Sequence, residues 1–236
     1  MRIEKSVAFV TGANRGLGRE FTRALLERGA AKVYGAARDP YTITEPGVVP
    51  VALDITDPGA VAAAAALAGD VTLLINNAGT SSGGSLLTAS DSDRIRSDFN
   101  TNVFGTADVA RAFAPILGAN GGGAMLNVLS ALSFVTLPAA AGYSASKAAA
   151  WSLTNALRLA LLSQGTQVVA LHVGFMDTDM VAHLAVPKID PRVVALAALN
   201  GIEDGRHEVL ADDTSRIFKN ALSADLRVAY PALTTA

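Results

Sequence analysis

A serine, a tyrosine and a lysine in the middle of the chain could together move a proton. Tyr143 and Lys147 are four positions apart, so in a helix both side chains rise from one face, one turn apart. Ser130 lies thirteen positions before Tyr143, after an apolar run that is typical of a buried strand. A neighbouring ammonium favours a phenolate, so we expect Lys147 to lower the pKa of Tyr143 from its usual value of about 10. Such a phenol can protonate a developing alkoxide near neutral pH, with Ser130 hydrogen-bonded to the same oxygen.

The spacing of Tyr143 and Lys147 is weak support when it stands alone, because an alanine-rich helix can carry the same pair on an exposed face. Asn102 also has two interpretations. It lies among apolar residues in the stretch N-T-N-V-F-G, where a buried amide must be hydrogen-bonded. A structural amide and a residue of the site both fit that position.

A glycine-rich turn near the start of the chain favours nucleotide binding. The stretch T-G-A-N-R-G-L-G, from Thr11 to Gly18, follows a short predicted strand over 6–10 and precedes a predicted helix over 20–28. Gly12 permits a tight turn, while Gly16 and Gly18 let the backbone and the helix N-terminus approach a phosphate. The spacing is G-x-x-x-G-x-G, which differs from the G-x-G-x-x-G of the common dinucleotide-binding fold.

The end of the second predicted strand, 32–37, favours NADP(H) over NAD(H). An NAD site needs a carboxylate there for the ribose 2′-hydroxyl, but this chain has Ala37 and then Arg38. Arg15 lies inside the glycine turn, so two guanidiniums could clamp a 2′-phosphate. Two alternatives stay open: both arginines are solvated at the rim, or Asp39 turns inward.

Alternating strands and helices predict an α/β fold, a doubly wound parallel sheet in a three-layer α/β/α sandwich, with residues 1–236 as a single domain. Further strands are predicted at 48–53, 71–75, 124–129, 167–173 and 208–211, and further helices at 61–68, 91–117 with an interruption near Asn102, 142–163, 191–201 and 214–224. The connection after the second strand is too short for a full helix. Ligands of such sheets bind at the carboxyl ends of the strands, where the glycine turn, Arg38, Asp54, Asn76–Gly79, Ser130 and Gly174 all converge.

Composition narrows the classes of partner. The net charge is −2 and Lys/Arg residues are not clustered, which argues against nucleic acid or a membrane surface. No apolar run approaches about 18 residues and no signal-peptide pattern is seen, so we expect a cytoplasmic protein. Without cysteine there is no disulfide, and we expect no metal. Half the residues are hydrophobic and 17% are charged, so we expect a homodimer or homotetramer paired through helices 91–117 and 142–163.

Taken together, the glycine turn, Asp54, N-N-A-G, Asn102, Ser130 and Y-S-A-S-K resemble the short-chain dehydrogenase/reductase family over almost the whole chain, in the family's order and spacing. The resemblance implies a catalytic tetrad of Asn102, Ser130, Tyr143 and Lys147. Tyr143 would be the general acid/base, and Asn102 would organise a water that leads to Lys147. The implied cofactor contacts are Gly12, Asn14, Arg15, Gly16, Leu17, Gly18, Arg38, Asp54, Ile55, Asn76, Asn77, Ala78, Gly79, Tyr143, Lys147, Gly174, Met176 and Thr178.

The chain departs from the family pattern in two places. Val173-Gly174 replaces the usual Pro-Gly after the sixth strand, which could loosen the turn under the nicotinamide. The segment 177–190, which we expect to be a lid with substrate contacts, is short, and His183 within it can equally be an exposed bystander. His172 is expected to be a core histidine.

The expected activity is reversible NADPH-dependent reduction of a ketone or aldehyde, with a small-molecule carbonyl or alcohol as substrate. The alternatives are an alcohol dehydrogenase that works in the oxidative direction and a non-catalytic NADP(H)-binding sensor or scaffold.

Overall fold

Seven parallel strands form one sheet with helices on both faces, as predicted. The computed structural model describes residues 1–84, 86–87 and 91–234. The strands are β1 (Val7–Thr11), β2 (Lys32–Ala37), β3 (Val48–Ala52), β4 (Leu73–Asn76), β5 (Ala124–Val128), β6 (Gln167–His172) and β7 (Glu208–Leu210). Their order in the sheet is β3-β2-β1-β4-β5-β6-β7. The order reverses between β1 and β4, which is where open α/β sheets bind ligands.

The helices are α1 (Gly16–Glu27), α2 (Pro58–Leu67), α3 (Asp91–Phe99), α4 (Thr106–Ala119), α5 (Ala141–Ala160), α6 (Pro191–Glu203), α7 (Asp213–Ala221) and α8 (Leu226–Ala229). As predicted, the connection between β2 and β3 holds no full helix and contains only a 3₁₀ turn, Pro40–Thr42. The sequence prediction missed α8. Within the described part of the chain, no helix has the length and apolar character needed to cross a membrane.

Different helices bury the two faces of the sheet. On β1, Ala8 and Val10 belong to the apolar cluster that includes α1 and α6, whereas Phe9 belongs to the cluster that includes α2 and α4. This alternation follows from the two-residue period of a strand. The rings of Phe9 and Phe113 lie 4.6 Å apart between centroids, and full burial of each contributes about 1.5–3 kcal/mol. A sheet covered on both faces leaves its strand ends as the accessible edge.

The predicted interruption near Asn102 is a π-helical segment, Asn100–Gly105, between α3 and α4. Gly105 is needed here because a Cβ at that position would lie 2.8 Å from the carbonyl oxygen of Ile55. The close approach packs this segment against the residues that follow β3. Wide helical turns of this kind are common at functional sites.

Candidate active site

Ser130 is held in a tight turn just after β5, and its hydroxyl is oriented by the backbone. Its Oγ accepts the N–H of Leu132 at 3.1 Å, and its own N–H is donated to Ser133 Oγ at 3.3 Å. Ser130 thereby caps the 3₁₀ turn Ala131–Ser133. Because its oxygen already accepts a hydrogen bond from the backbone, its proton can be donated to another group.

Tyr143 and Lys147 lie in the first turns of α5, as their spacing predicts. Lys147 Nζ lies 5.7 Å from the centre of the Tyr143 ring. It donates a hydrogen bond of 2.9 Å to the carbonyl oxygen of Val128, the last residue of β5. The end of β5 therefore fixes the ammonium, and the phenol next to it interacts with Ser130.

The expected direction of the Tyr143 pKa shift is wrong. Burial raises the pKa of Tyr143 to about 12, and nearby Asp98 raises it too, whereas the hydrogen bond with Ser130 acts in the lowering direction. Burial also lowers the pKa of Lys147 to about 8, against the opposing effect of Asp98. Loss of water around the phenol outweighs the hydrogen bond with Ser130, because desolvation penalises whichever form of a group is charged.

Asn102 is a buried amide that clamps the loop after β4. Its Oδ1 accepts the N–H of Thr80, and its Nδ2 donates to the carbonyl oxygen of Thr80 and to Ser146 Oγ, each at 2.9 Å. Gly79 separates Asn102 from Lys147, since a Cβ there would lie 3.1 Å from Asn102 Oδ1 and 3.6 Å from Lys147 Nζ. Asn102 therefore has the structural role of holding the loop after β4. It also lies near Lys147, because Gly79 between them has no side chain.

The glycine turn between β1 and α1 is shaped for a close approach of the backbone. Gly12 has φ +64°, a value that disfavours other residues. A Cβ at Gly18 would lie 2.0 Å from the Gly12 carbonyl oxygen, so α1 begins in direct contact with the turn. Arg15 precedes α1 without capping it by its side chain, and the first helical turn has no acidic residue. The helix N-terminus is therefore suited to a negatively charged group.

The N-N-A-G motif locks β4 to this turn. Asn77 Nδ2 donates to the carbonyl oxygens of Thr11 and Gly12 at 2.9 and 3.1 Å. Thr11 Oγ1 accepts the backbone N–H groups of Asn77 and Ala78, both at 3.0 Å. Asn76 differs from its neighbours, because its side chain is buried and donates to Asn127 Oδ1 at 2.9 Å. Its side chain therefore joins β4 to β5.

After β2, the Asp39 carboxylate accepts a hydrogen bond from the backbone of the following turn. Its Oδ1 accepts the N–H of Tyr41 at 3.0 Å and caps the 3₁₀ turn after β2. Arg38 is exposed beside Asp54. The pKa of Asp54 is lowered chiefly by hydrogen bonds from Thr56, and also by the charge of Arg38. At this end of β2 the exposed guanidinium is the group available to a ligand phosphate.

Arg15 has a different partner from the one expected. Its Nη1 lies 3.0 Å from Asp179 Oδ2 in the lid, and both side chains are exposed. The methyl carbon of Thr178 would lie 3.2 Å from a Cβ at Gly16, so the lid rests on the glycine turn. The predicted clamp on a 2′-phosphate would therefore require Arg15 to exchange this exposed partner for the phosphate.

Backbone hydrogen bonds join the two ends of the segment 177–190, the expected lid. Asp177 N–H donates to the Ile189 carbonyl oxygen, and Ile189 N–H donates to that of Phe175, both at 2.9 Å. Met176 forms an isolated parallel bridge with Ile189 and packs partly against the core. His183 is exposed. The segment is thus a short loop with a fixed base.

The turn after β6 is not loosened by the absence of proline. Gly174 N–H donates to Asp212 Oδ2 at 2.9 Å, and the Val173 carbonyl oxygen accepts the N–H of Ala131 at 2.9 Å. Asp212 also caps α7 through the N–H of Ser215 at 2.8 Å. Asp212 was not predicted from the sequence, although its D-x-x-S pattern is a capping signal.

His172 is a core residue, as expected, and it supports the serine turn. It is fully buried, its Nδ1 lies 3.1 Å from the carbonyl oxygen of Ser130, and its ring stacks on Phe134 at 4.2 Å between centroids. Burial lowers the pKa of His172 to about 4, so the ring is neutral near pH 7.

Comparison with known proteins places these motifs in a family context. Residues 6–187 match the model of the family described as short chain dehydrogenase. A short chain dehydrogenase of Aspergillus terreus is 32% identical over 197 residues, which cover 76% of this chain and 43% of that protein. This chain therefore spans less than half the length of that relative. The matched residues 6–187 include the glycine turn, Ser130, Tyr143 and Lys147.

Two solved structures share the whole architecture. A short chain dehydrogenase from Burkholderia cenocepacia in complex with NADP is 43% identical, with a TM-score of 0.94 over 100% of both chains. A short chain dehydrogenase/reductase from Burkholderia phymatum in complex with NAD is 26% identical, with a TM-score of 0.83 over 94% of this chain and 95% of the other.

Proposed function

Because the chain belongs to the short-chain dehydrogenase family of oxidoreductases, we propose that it is an NADPH-dependent reductase of ketones or aldehydes. The observation that carries this proposal is the meeting of a serine hydroxyl, a tyrosine phenol and a lysine ammonium at the carboxyl end of β5. Ser130 offers a proton to a carbonyl oxygen, and Tyr143 beside it is a protonated acid. These groups suit a substrate in which negative charge develops on oxygen.

The residues at the strand ends fit a nicotinamide dinucleotide. The glycine turn and the N-terminus of α1 would hold the pyrophosphate, Asp54 and Ile55 the adenine, and Thr178 the carboxamide. The nicotinamide would supply the hydride. Lys147, which is fixed by Val128, would bind the nicotinamide ribose while it keeps positive charge beside Tyr143.

Tyr143 would give its proton to the oxygen as hydride reaches the carbonyl carbon, and Ser130 would hold that oxygen in line. With a pKa raised to about 12, the phenol keeps its proton at neutral pH. This is the form that reduction needs, whereas alcohol oxidation needs the phenolate. Asn102, which faces Lys147 across Gly79, would hold a water through which the proton is replaced.

NADPH is proposed over NADH because of the residues that follow β2. Arg38 is exposed there, and the nearest carboxylate, Asp39, caps the adjacent 3₁₀ turn. An arginine pairs well with a phosphate but offers no acceptor to a ribose hydroxyl. The structure from Burkholderia cenocepacia, at 43% identity, contains NADP, which supports the same choice.

We also propose a homodimer or homotetramer, paired through the continuous helical stretch of α3, the π-helical segment and α4, and through α5. Apolar side chains on this stretch and on α5 face outward: Phe104 in the π-helical segment is 59% exposed, and Leu159 on α5 is 71% exposed. Obligate interfaces commonly bury about 2,000 Å² or more. Sedimentation velocity at micromolar concentration tests this, and a monomer there would contradict it.

The activity is tested by following NADPH consumption with a panel of ketones and aldehydes of different size and polarity. We expect at least one carbonyl class to be reduced with formation of the alcohol. If NADPH binds but no carbonyl is reduced and no alcohol is oxidised with NADP⁺, the sensor or scaffold alternative replaces the reductase.

A further inference from the structure

Asp98 is a buried carboxylate to which the proposed reduction assigns no role. It lies on α3 with 0% of its surface exposed. Its Oδ1 accepts the N–H of Ser82 at 2.9 Å, whereas its Oδ2 has no hydrogen-bond partner among the described residues. A buried carboxylate that is only half satisfied is costly. A cost of this kind often accompanies a functional role.

Gly142 brings this carboxylate close to the first turn of α5. A Cβ at Gly142 would lie 3.3 Å from Asp98 Oδ2 and 2.9 Å from Ile95 Cγ1. The absence of a side chain thus lets α3 approach α5 just before Tyr143. The carboxylate consequently lies within electrostatic reach of both ionisable groups of the site, Tyr143 and Lys147.

Among the residues that the structure describes, few charged or polar groups surround Asp98. From α5 it faces Tyr143 and Lys147, and from the loop after β4 it faces the N–H and hydroxyl of Ser82. Its own helix contributes no titratable neighbour to the described interactions of Asp98. Burial raises the pKa of Asp98, and the charge of Lys147 opposes that rise.

We propose that Asp98 is a positioning residue, whose carboxylate keeps Lys147 charged and Tyr143 protonated and ties the loop 80–84 to α3 through Ser82. The proposal rests on the reductase function, because it assigns Asp98 a role in the same site. Opposite charges stabilise each other across the α3–α5 contact, so an ionised Asp98 favours the ammonium and disfavours the phenolate. Both effects hold the site in the form that reduction requires.

Asp98→Asn separates charge from tethering. An asparagine keeps an oxygen that can accept the N–H of Ser82, but it removes the negative charge. We expect Lys147 to lose its proton at lower pH, by about one pH unit. The alkaline limb of kcat/KM for carbonyl reduction should move down by the same amount, because kcat/KM reports ionisations of the free enzyme.

The matched control is Asp108→Asn, which removes the same charge from a half-buried carboxylate on α4 that pairs with Arg111. This variant should leave both the alkaline limb of the kcat/KM pH profile and the titration of Lys147 unchanged. Asp98→Ala removes the tether as well as the charge, so it should show the same pH shift together with a higher KM for the carbonyl substrate.

A measurement that needs no turnover separates this proposal from the reductase function. The chain has five lysines, so carbon-13 labelling at Cε gives few signals, and Lys147→Met assigns that of Lys147. If Asp98→Asn shifts the Lys147 titration while no carbonyl is reduced, the coupling holds and the reductase function fails. If the titration of Lys147 is the same in Asp98→Asn as in the control Asp108→Asn, the proposal is overturned.

The wild-type protein provides a second test in case Asp98→Asn does not fold. The Asp98 carboxyl carbon, assigned through its backbone correlations, should report an ionised carboxylate at about pH 7. A carboxyl that stays protonated through the Lys147 titration would also overturn the proposal, because a neutral Asp98 cannot hold the charge of its neighbour.

Discussion

Around the glycine turn, polar side chains hydrogen-bond to the backbone, whereas two buried ionisable groups near α5 each have an atom without a hydrogen-bond partner among the described residues. Asn77 and Thr11 show the first arrangement, since together they satisfy four backbone groups. Asp98 Oδ2 and His172 Nε2 show the second, as both are buried without a hydrogen bond in the described part of the chain.

This difference separates two tasks on one sheet edge. A rigid, hydrogen-bonded turn suits binding, because it holds backbone N–H groups in place without shifting any pKa. Desolvated ionisable groups suit proton transfer, because burial changes which form each group prefers. The pKa values of Tyr143, Lys147 and His172 are all moved by burial first.

The largest effect is expected from Tyr143→Phe, which removes the acid and leaves the glycine turn intact. The kcat for carbonyl reduction should fall by about 10²–10⁴, because a positioned acid commonly contributes that much. The Kd for NADPH, measured by fluorescence, should stay within about twofold of the wild-type value, since the glycine turn and the residues after β2 are unchanged. Tyr41→Phe, at an exposed tyrosine, is the control. A phenylalanine variant that kept a tenth of the wild-type kcat would remove Tyr143 from the mechanism.

A pH profile tests the buried ammonium. The pKa of Lys147 is lowered to about 8, so its charge is present below that pH and lost above it. The kcat/KM for carbonyl reduction should therefore decline as pH rises through about 8, by about tenfold per unit. Lys5→Gln, at an exposed lysine, should leave the profile unchanged. A profile that is flat from about pH 7 to 10 would contradict the role of Lys147.

Arg38→Asp tests the part of the site that we propose binds NADPH, namely the glycine turn and the residues after β2. Loss of a charged hydrogen bond to phosphate costs about 1.5–3 kcal/mol, or about 10- to 150-fold in affinity. The KM for NADPH should rise at least tenfold, while that for NADH stays the same or falls. Asp39→Asn is the neighbouring control and should change the KM for NADPH little. A wild-type preference for NADH in kcat/KM would show that the cofactor choice is wrong.

The smallest effect is expected from Asp179→Asn, which frees Arg15 from the lid. Exposed ion pairs contribute about 0–1 kcal/mol, so the KM for NADPH should fall by no more than about fivefold as Arg15 becomes available to the cofactor. Asp177→Asn removes a charge from the same lid without this partner and is the control. A rise in KM for NADPH would mean that the pair holds the site in its binding form.

Much of the fold follows from local patterns. β2 has its predicted bounds, and α2, which Asp57 caps, begins three residues before its predicted start at 61. These elements are predictable because strand alternation, capping residues and glycine turns act between near neighbours in the chain. The short helix α8 was missed, because four residues carry too little periodic pattern to distinguish them from a loop.

The sequence by itself determined the family resemblance, the parallel sheet and the residues that meet at its edge, because motif order and strand direction together imply that convergence. Only the tertiary structure revealed Asp212 under the turn after β6, the pairing of Arg15 with Asp179, and the position of buried Asp98 near Tyr143. It also reversed the expected pKa shift of Tyr143. The physical reason is that desolvation and charge depend on what packs around a group, and those neighbours come from distant parts of the chain.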